Sequence, residues 1–149
     1  MAVDLYHFWS SVCSVRCRMA LEEKGAAWTS RYIDLFKFDQ MEPGYLAINP
    51  AGVVPTLAHD GVPIREPTII NEYIDIAFDG PPLVPADPVT AARVREFIHA
   101  CEKDFPAIVK LTCVKYILPK LRNRWGGGPP SSRPSPGPTR AAAATRKSA

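Results

Sequence analysis

The sequence predicts an α/β domain over residues 1–80, built on a mixed four-stranded sheet with helices on its faces. Three observations carry this reading. Apolar patterns follow one another in the order strand, helix, strand, short helix, strand, strand, helix, which calls for a mixed sheet covered by helices. His59-Asp60-Gly61, set between two short apolar runs, reads as the turn of a β-hairpin. Between Ile69 and Phe78 the apolar residues recur at spacings of three and four, the single stripe of an amphipathic helix.

Taken in order, Val3 to Phe8 forms a short buried strand, ended by the small, polar Ser10-Ser11. Ser14 is the expected N-cap of the helix that follows. Val15, Met19 and Ala20 fall at helical spacing there, Glu22, Glu23 and Lys24 are expected to face water, and Gly25 closes the helix. Trp28 to Ile33 alternates as a strand should. Residues 34–48 read as loop plus a short helix, interrupted by Pro43-Gly44. The hairpin arms are Pro55–Ala58 and Val62–Arg65. The last helix of the domain puts Ile69, Ile70, Tyr73, Ile74, Ala77 and Phe78 on its stripe and stops at Asp79-Gly80-Pro81-Pro82.

Residues 81–88 form a proline-rich linker. Beyond it, Val94, Phe97, Ile98, Cys101, Phe105 and Ile108 continue a helical stripe, with Pro106 expected as a kink or boundary. Residues 89–125 are therefore a partial all-α second domain. Residues 126–149 are Gly, Pro, Ser, Ala and Arg with nothing able to bury a face, and are expected to be a disordered tail.

Charge and composition exclude several classes. The net charge of +3 divides into +4 from Arg133, Arg140, Arg146 and Lys147 in the tail and −1 from everything else, so the body offers no electrostatic footprint for nucleic acid. No apolar run approaches the ~20 residues of a membrane helix, and Asp4 and His7 stand where a secretory leader would place other residues. Cys13, Cys17, Cys101 and Cys113 lack the spacing of a secreted disulfide scaffold, which points to reduced thiols and a cytoplasmic setting.

Three segments in register carry a family resemblance: Ser10-Ser11-Val12-Cys13-Ser14-Val15-Arg16-Cys17-Arg18, then Asn49-Pro50-Ala51-Gly52-Val53-Val54-Pro55-Thr56-Leu57, then Glu66-Pro67-Thr68-Ile69-Ile70-Asn71-Glu72-Tyr73. Together they resemble the soluble glutathione transferases, the first segment being closest to the serine-type classes and some bacterial relatives. The resemblance implies a thioredoxin-like N-terminal domain, glutathione as co-substrate, a small electrophile as second substrate, a possible homodimer, a role in detoxification, and no metal.

It also implies site residues. Glutathione must be held as a thiolate, and lowering a thiol pKa from about 8.5 by about two units takes roughly 2.7 kcal/mol of preferential stabilisation. A helix N-terminus supplies part of this and a hydroxyl donor more. Ser11 stands where the serine-type enzymes carry that donor, although a serine there also suits a loop or a cap. Cys13 is the alternative, matching the cysteine of bacterial beta-type enzymes and able to form a mixed disulfide; a small inert thiol is its other reading. Cys17, one turn on, belongs to the core. Val53, Val54 and Pro55 resemble the family's cis-proline segment, in which the residue before proline meets the cysteinyl part of glutathione through its backbone. Glu66 would accept from the γ-glutamyl ammonium. Lys37 or Gln40 would meet the glycyl carboxylate, or would be solvated surface groups.

Two departures stand out. Position 67 is Pro67 where the family carries serine or threonine, so a hydroxyl and an N–H are lost. Each such bond to a charged group is worth about 1.5–3 kcal/mol, unless Thr68 substitutes. The family's full helical second domain is matched only from Val89 to about Leu121, which suggests a truncated, frame-shifted or divergent one. The expected function is thiolate attack on an electrophilic carbon, by conjugation or a related dehalogenation, ether cleavage or isomerisation. The alternatives are a non-catalytic scaffold or fragment with weakened glutathione binding, and a thiol–disulfide oxidoreductase acting through Cys13.

Overall fold

A computed structural model describes residues 2–112 and Lys115. The chain divides into two units, with the boundary between Leu83 and Val84. The first holds a four-stranded sheet in the order β2-β1-β3-β4. Its strands are β1 (Val3–His7), β2 (Thr29–Tyr32), β3 (Thr56–His59) and β4 (Val62–Arg65). β1 runs parallel to β2 and antiparallel to β3, and β3 is antiparallel to β4. The thioredoxin-like mixed sheet expected from the sequence is therefore present. Asp60 and Gly61 make a two-residue turn with φ of 47° and 84°; a left-handed pair at both positions is what joins tightly twisted strands.

Helices α1 (Val12–Glu23), α2 (Pro43–Leu46) and α3 (Pro67–Ala77) complete the unit, with single 3-10 turns at Leu35–Lys37 and Asp39–Met41. Pro43 opens α2 at its first position rather than interrupting the segment, since proline lacks only an N–H that would be unpaired there. Val3 and Leu5 of the sheet pack with Cys17, Ala20 and Leu21 of α1, Leu57 of β3, and Ile70 and Ile74 of α3. Leu5, Leu21, Leu57, Ile70 and Ile74 are fully buried, each contributing about 1.5–3 kcal/mol.

Several details differ from the sequence-based expectation. The cap of α1 is Ser11, whose Oγ accepts from the Ser14 N–H at 3.3 Å. Ser14 lies within the helix, buried, its Oγ accepting from the Phe8 N–H. Ser14, Cys17, Ala20 and Leu21 form the inner face of α1, and Met19 faces out. At the far end of α1 the Ala26 N–H reaches the Leu21 carbonyl and the Gly25 N–H reaches that of Glu22, the paired bonds of a Schellman stop. Ile69 is exposed, leaving Ile70 and Ile74 as the buried stripe of α3.

Lys24 departs furthest from expectation. It is buried, and its Nζ lies 2.7 Å from Asp75 Oδ1, with side chains 3% and 15% exposed. The same oxygen accepts the Leu83 N–H at 2.8 Å. Gly80 passes so close to this corner that a Cβ would sit 2.8 Å from the Lys24 carbonyl oxygen. Any other residue would push the chain off it.

In the second unit α4 (Pro88–Thr112) is one helix, its assignment continuing through residue 106, so Pro106 is not a boundary. Asp87 caps it, accepting from both the N–H and the hydroxyl of Thr90. Val94, Ile98 and Phe105 are half-buried, while Phe97 and Cys101 are exposed. Residues 116–149, including the expected tail over 126–149 and the end of the second domain, lie outside the described residues. Among the described residues no helix is long and apolar enough to cross a membrane.

Candidate functional site

Strand register explains why three distant segments meet. Tyr6 is opposite Thr56, and Thr56 is opposite Arg65. The loop leaving β1 toward Ser11, the Val53–Pro55 segment entering β3 and the Glu66–Thr68 segment leaving β4 therefore share one end of the sheet. Because β2 is parallel to β1, with Tyr32 beside His7, the 34–41 loop carrying Lys37 and Gln40 starts from that end too. Ligands of α/β sheets gather outside the carboxyl ends of their parallel strands.

At this end α1 begins. The N–H groups of Val12 and Cys13, in its first two positions, have no intrahelical acceptor, and the first turn carries no acid. That leaves a partial positive charge suited to an anion. The half-buried Ser11 uses a lone pair of Oγ for the cap, and its hydroxyl proton remains available to donate. Cys13 is half-buried with a free thiol. Cys17 is buried; desolvation pushes its thiol up to about 12, with Arg16 opposing and Cys13 adding to the rise. Its Sγ lies 3.8 Å from the Pro67 carbonyl oxygen, so it ties the start of α3 to α1. His7, at the end of β1, is 6% exposed. Its Nε2 meets Ser30 Oγ at 2.8 Å, and burial, with help from Arg18, lowers its pKa to about 4.

The Val54–Pro55 bond is cis. Pro55 is buried, Val54 half-buried and Val53 exposed. Glu66 is exposed, and at φ 68° and ψ 119° it has an unusual backbone for a residue with a Cβ, at a cost of about 1–3 kcal/mol. Strain of this kind clusters at ligand sites. Pro67 takes the first position of α3 and Thr68 the second, so the Thr68 N–H, like that of Ile69, has no acceptor within the helix. Lys37 Nζ lies 3.6 Å from Asp34 Oδ2, so its charge already has a partner. Gln40 Oε1 is buried without a hydrogen bond. Among the described residues no His, Cys, Asp and Glu cluster is arranged to hold a metal.

Tyr45 is not singled out by the sequence, and Asn49 and Thr56 only as parts of one motif segment. All three are buried directly beneath the Val53–Pro55 segment. Arg65 adds support from outside, its guanidinium donating twice to the Ile48 carbonyl at 2.6 and 2.9 Å. Tyr45 sits in a four-residue helix, too short for any periodicity to reveal it.

The family profile described as glutathione S-transferase, N-terminal domain, matches residues 10–77. Maleylacetoacetate isomerase of Rhizobium meliloti strain 1021 is 36% identical over 76% of this chain and 54% of its own length. A crystal structure of maleylacetoacetate isomerase from Methylobacterium extorquens AM1, with bound malonate and glutathione, superimposes with a TM-score of 0.68 at 33% identity, covering 84% of this chain and 57% of that one. Beta-etherase LigF from Sphingobium sp. strain SYK-6 gives a TM-score of 0.64 at 37% identity, over 66% and 42% of the two chains. The chain spans about half the length of the curated relatives it matches.

Proposed function

The chain belongs to the glutathione S-transferase family through its N-terminal domain, and on that premise we propose that the β1 end of its sheet binds glutathione as a thiolate and directs it at a small electrophile. The supporting observation is the convergence of the α1 N-terminus, Val54 and the strained Glu66 at one end of the sheet. Ser11 donates its hydroxyl proton to the sulfur, and the first N–H groups of α1 add to the same field. The backbone of Val54 holds the cysteinyl unit. Glu66 accepts from the γ-glutamyl ammonium, while Pro67 offers neither the hydroxyl nor the N–H that would meet the γ-glutamyl carboxylate. Gln40 is better placed than Lys37 to meet the glycyl end, because Lys37 is paired with Asp34.

In ether cleavage the sulfur forms a bond to carbon and the leaving group departs with the electron pair of the C–O bond that breaks. In isomerisation the sulfur adds to a carbon–carbon double bond, whose π pair moves onto the neighbouring conjugated group, and the C–S bond then breaks to return the thiolate after rotation. The protein supplies orientation and charge stabilisation. Relatives named as isomerases and as a beta-etherase favour isomerisation or ether cleavage over simple conjugation. Free thiols at Cys13, Cys17 and Cys101 support a cytoplasmic setting. Exposed Ile69 and Ile76 on α3 support a homodimer, and a detoxifying role completes the reading.

Ultraviolet titration of the bound glutathione thiolate tests the assignment. Loss of the Ser11 hydroxyl in Ser11→Ala should remove about 1.5–3 kcal/mol, raising the bound thiol pKa by about one to two pH units, while Cys13→Ser leaves it in place. The opposite pattern would move the chemistry to Cys13 and thiol–disulfide exchange. Pro67 favours the second reading, a scaffold with weakened binding; saturable, millimolar or tighter glutathione binding by the natural chain argues against it.

A further inference from the structure

Beneath the Val53–Pro55 segment, four hydrogen bonds close a ring. Tyr45 Oη lies 2.6 Å from the Val53 carbonyl oxygen, and Asn49 Nδ2 lies 2.9 Å from it. Asn49 Nδ2 is also 3.0 Å from Thr56 Oγ1, which is 3.0 Å from Tyr45 Oη. The proton directions follow from valence. A carbonyl only accepts and an amide NH2 only donates, so Tyr45 must give its one proton to Val53 and Thr56 must give its own to Tyr45. The Asn49 amide orientation is fixed as well, because Oδ1 accepts from the Ala51 N–H at 3.2 Å on its other side. Tyr45, Asn49 and Thr56 are 4%, 2% and 0% exposed. Burial raises the Tyr45 phenol pKa, which keeps its proton in the ring. A closed, satisfied network in a buried place has one arrangement.

The consequence falls on Val54. Both lone pairs of the Val53 carbonyl are engaged from below, so that peptide plane cannot rotate. The Val53–Val54 peptide is planar and trans, since among the described bonds only Val54–Pro55 is cis; its N–H therefore points opposite to the carbonyl. The Val54 N–H is thus turned away from the buried ring, and no described backbone group accepts it.

We propose that Tyr45, Asn49 and Thr56 are positioning residues that hold the Val54 N–H outward as a donor for the cysteinyl unit of glutathione. The inference rests on the glutathione reading above and extends it to residues that never touch the ligand. Removing one member of the ring lets the peptide rock and weakens binding without disturbing the α1 N-terminus.

The test uses the full chain with glutathione as probe, read by calorimetry and amide-resolved NMR. Tyr45→Phe keeps the ring packing on Tyr6, whose centroid is 5.8 Å away, and should weaken glutathione roughly 3–10-fold. Thr56→Val should do the same, whereas Thr56→Ser, which keeps the hydroxyl, restores affinity. In Tyr45→Phe the glutathione-induced shift of the Val54 amide shrinks while that of Ser11 persists. A core change away from the ring, Ile70→Val, lowers the melting temperature and leaves affinity unchanged. Wild-type affinity in Tyr45→Phe and Thr56→Val, or equal losses at the Ser11 and Val54 amides, would overturn the inference and leave the functional reading standing. A wild-type chain that does not bind glutathione would overturn both.

Discussion

Acidification should weaken this domain through His7 in particular, and the size of the effect can be worked out. His7 is 6% exposed, its Nδ1 has no hydrogen-bond partner, and Trp28 and Tyr32 meet it edge-on. The folded chain holds it neutral, with its pKa lowered from 6.5 to about 4, first by burial and second by Arg18. In the unfolded chain it titrates near ~6.5. Above that value neither state takes up the proton. As pH falls from about 6.5 to about 4 the unfolded state alone gains it, so stability is lost through this window and levels off below. Allowing for some water access to the ring, the total is about 2–3 kcal/mol. His7→Gln removes the titration and keeps a polar group beside Ser30. Urea unfolding followed by circular dichroism at pH 7.5 and 4.5 would give wild type an acid loss larger than that of His7→Gln by about 2–3 kcal/mol. Parallel losses in the two proteins would refute the reasoning.

Three further outcomes follow from particular contacts. Lys24→Met leaves the Asp75 carboxylate without its buried partner and should cost about 3 kcal/mol in denaturant unfolding; adding Asp75→Asn, which still accepts the Leu83 N–H, should return at least half of it, and strict additivity would contradict the pairing. Cys17, fully buried with its thiol raised to about 12, should resist iodoacetamide in the native chain while Cys101 is alkylated; mass spectrometry showing equal labelling of both would count against the α1 packing. Pro67→Ser restores a hydroxyl and an N–H at the first position of α3 and should tighten glutathione at least 10-fold by calorimetry; no change would mean that Thr68 already supplies the contact.

The sheet, its hairpin and both long helices of the first unit were legible because each is long enough to show a period or ends at a residue with a definite turn preference, as at Asp60-Gly61. The positions of Ser11 and Glu66 at helix starts, and of Val54 just before β3, were legible from the turn and cap residues around them; their part in binding belongs to the proposal. What escaped was contact between distant side chains. Lys24 reads as a solvated charge because its partner Asp75 is 51 positions away. Ser14 and Ser11 are equally eligible caps by residue type, and the strand-to-helix path decides between them. Ile69 and Ile70 both fit a helical stripe; packing against α1 selects the second. Tyr45 carries no motif, and the motif that holds Asn49 and Thr56 says nothing of the closed ring they form with it around the Val53 carbonyl.

The measurement that bears most directly on the account is a glutathione titration of the full chain followed amide by amide in NMR. Saturable shifts concentrated at Ser11, Cys13, Val54 and Glu66, with the hairpin turn at Asp60-Gly61 at the other end of the sheet unmoved, are the predicted result. A dispersed spectrum in which those four amides stay still at millimolar glutathione would contradict it.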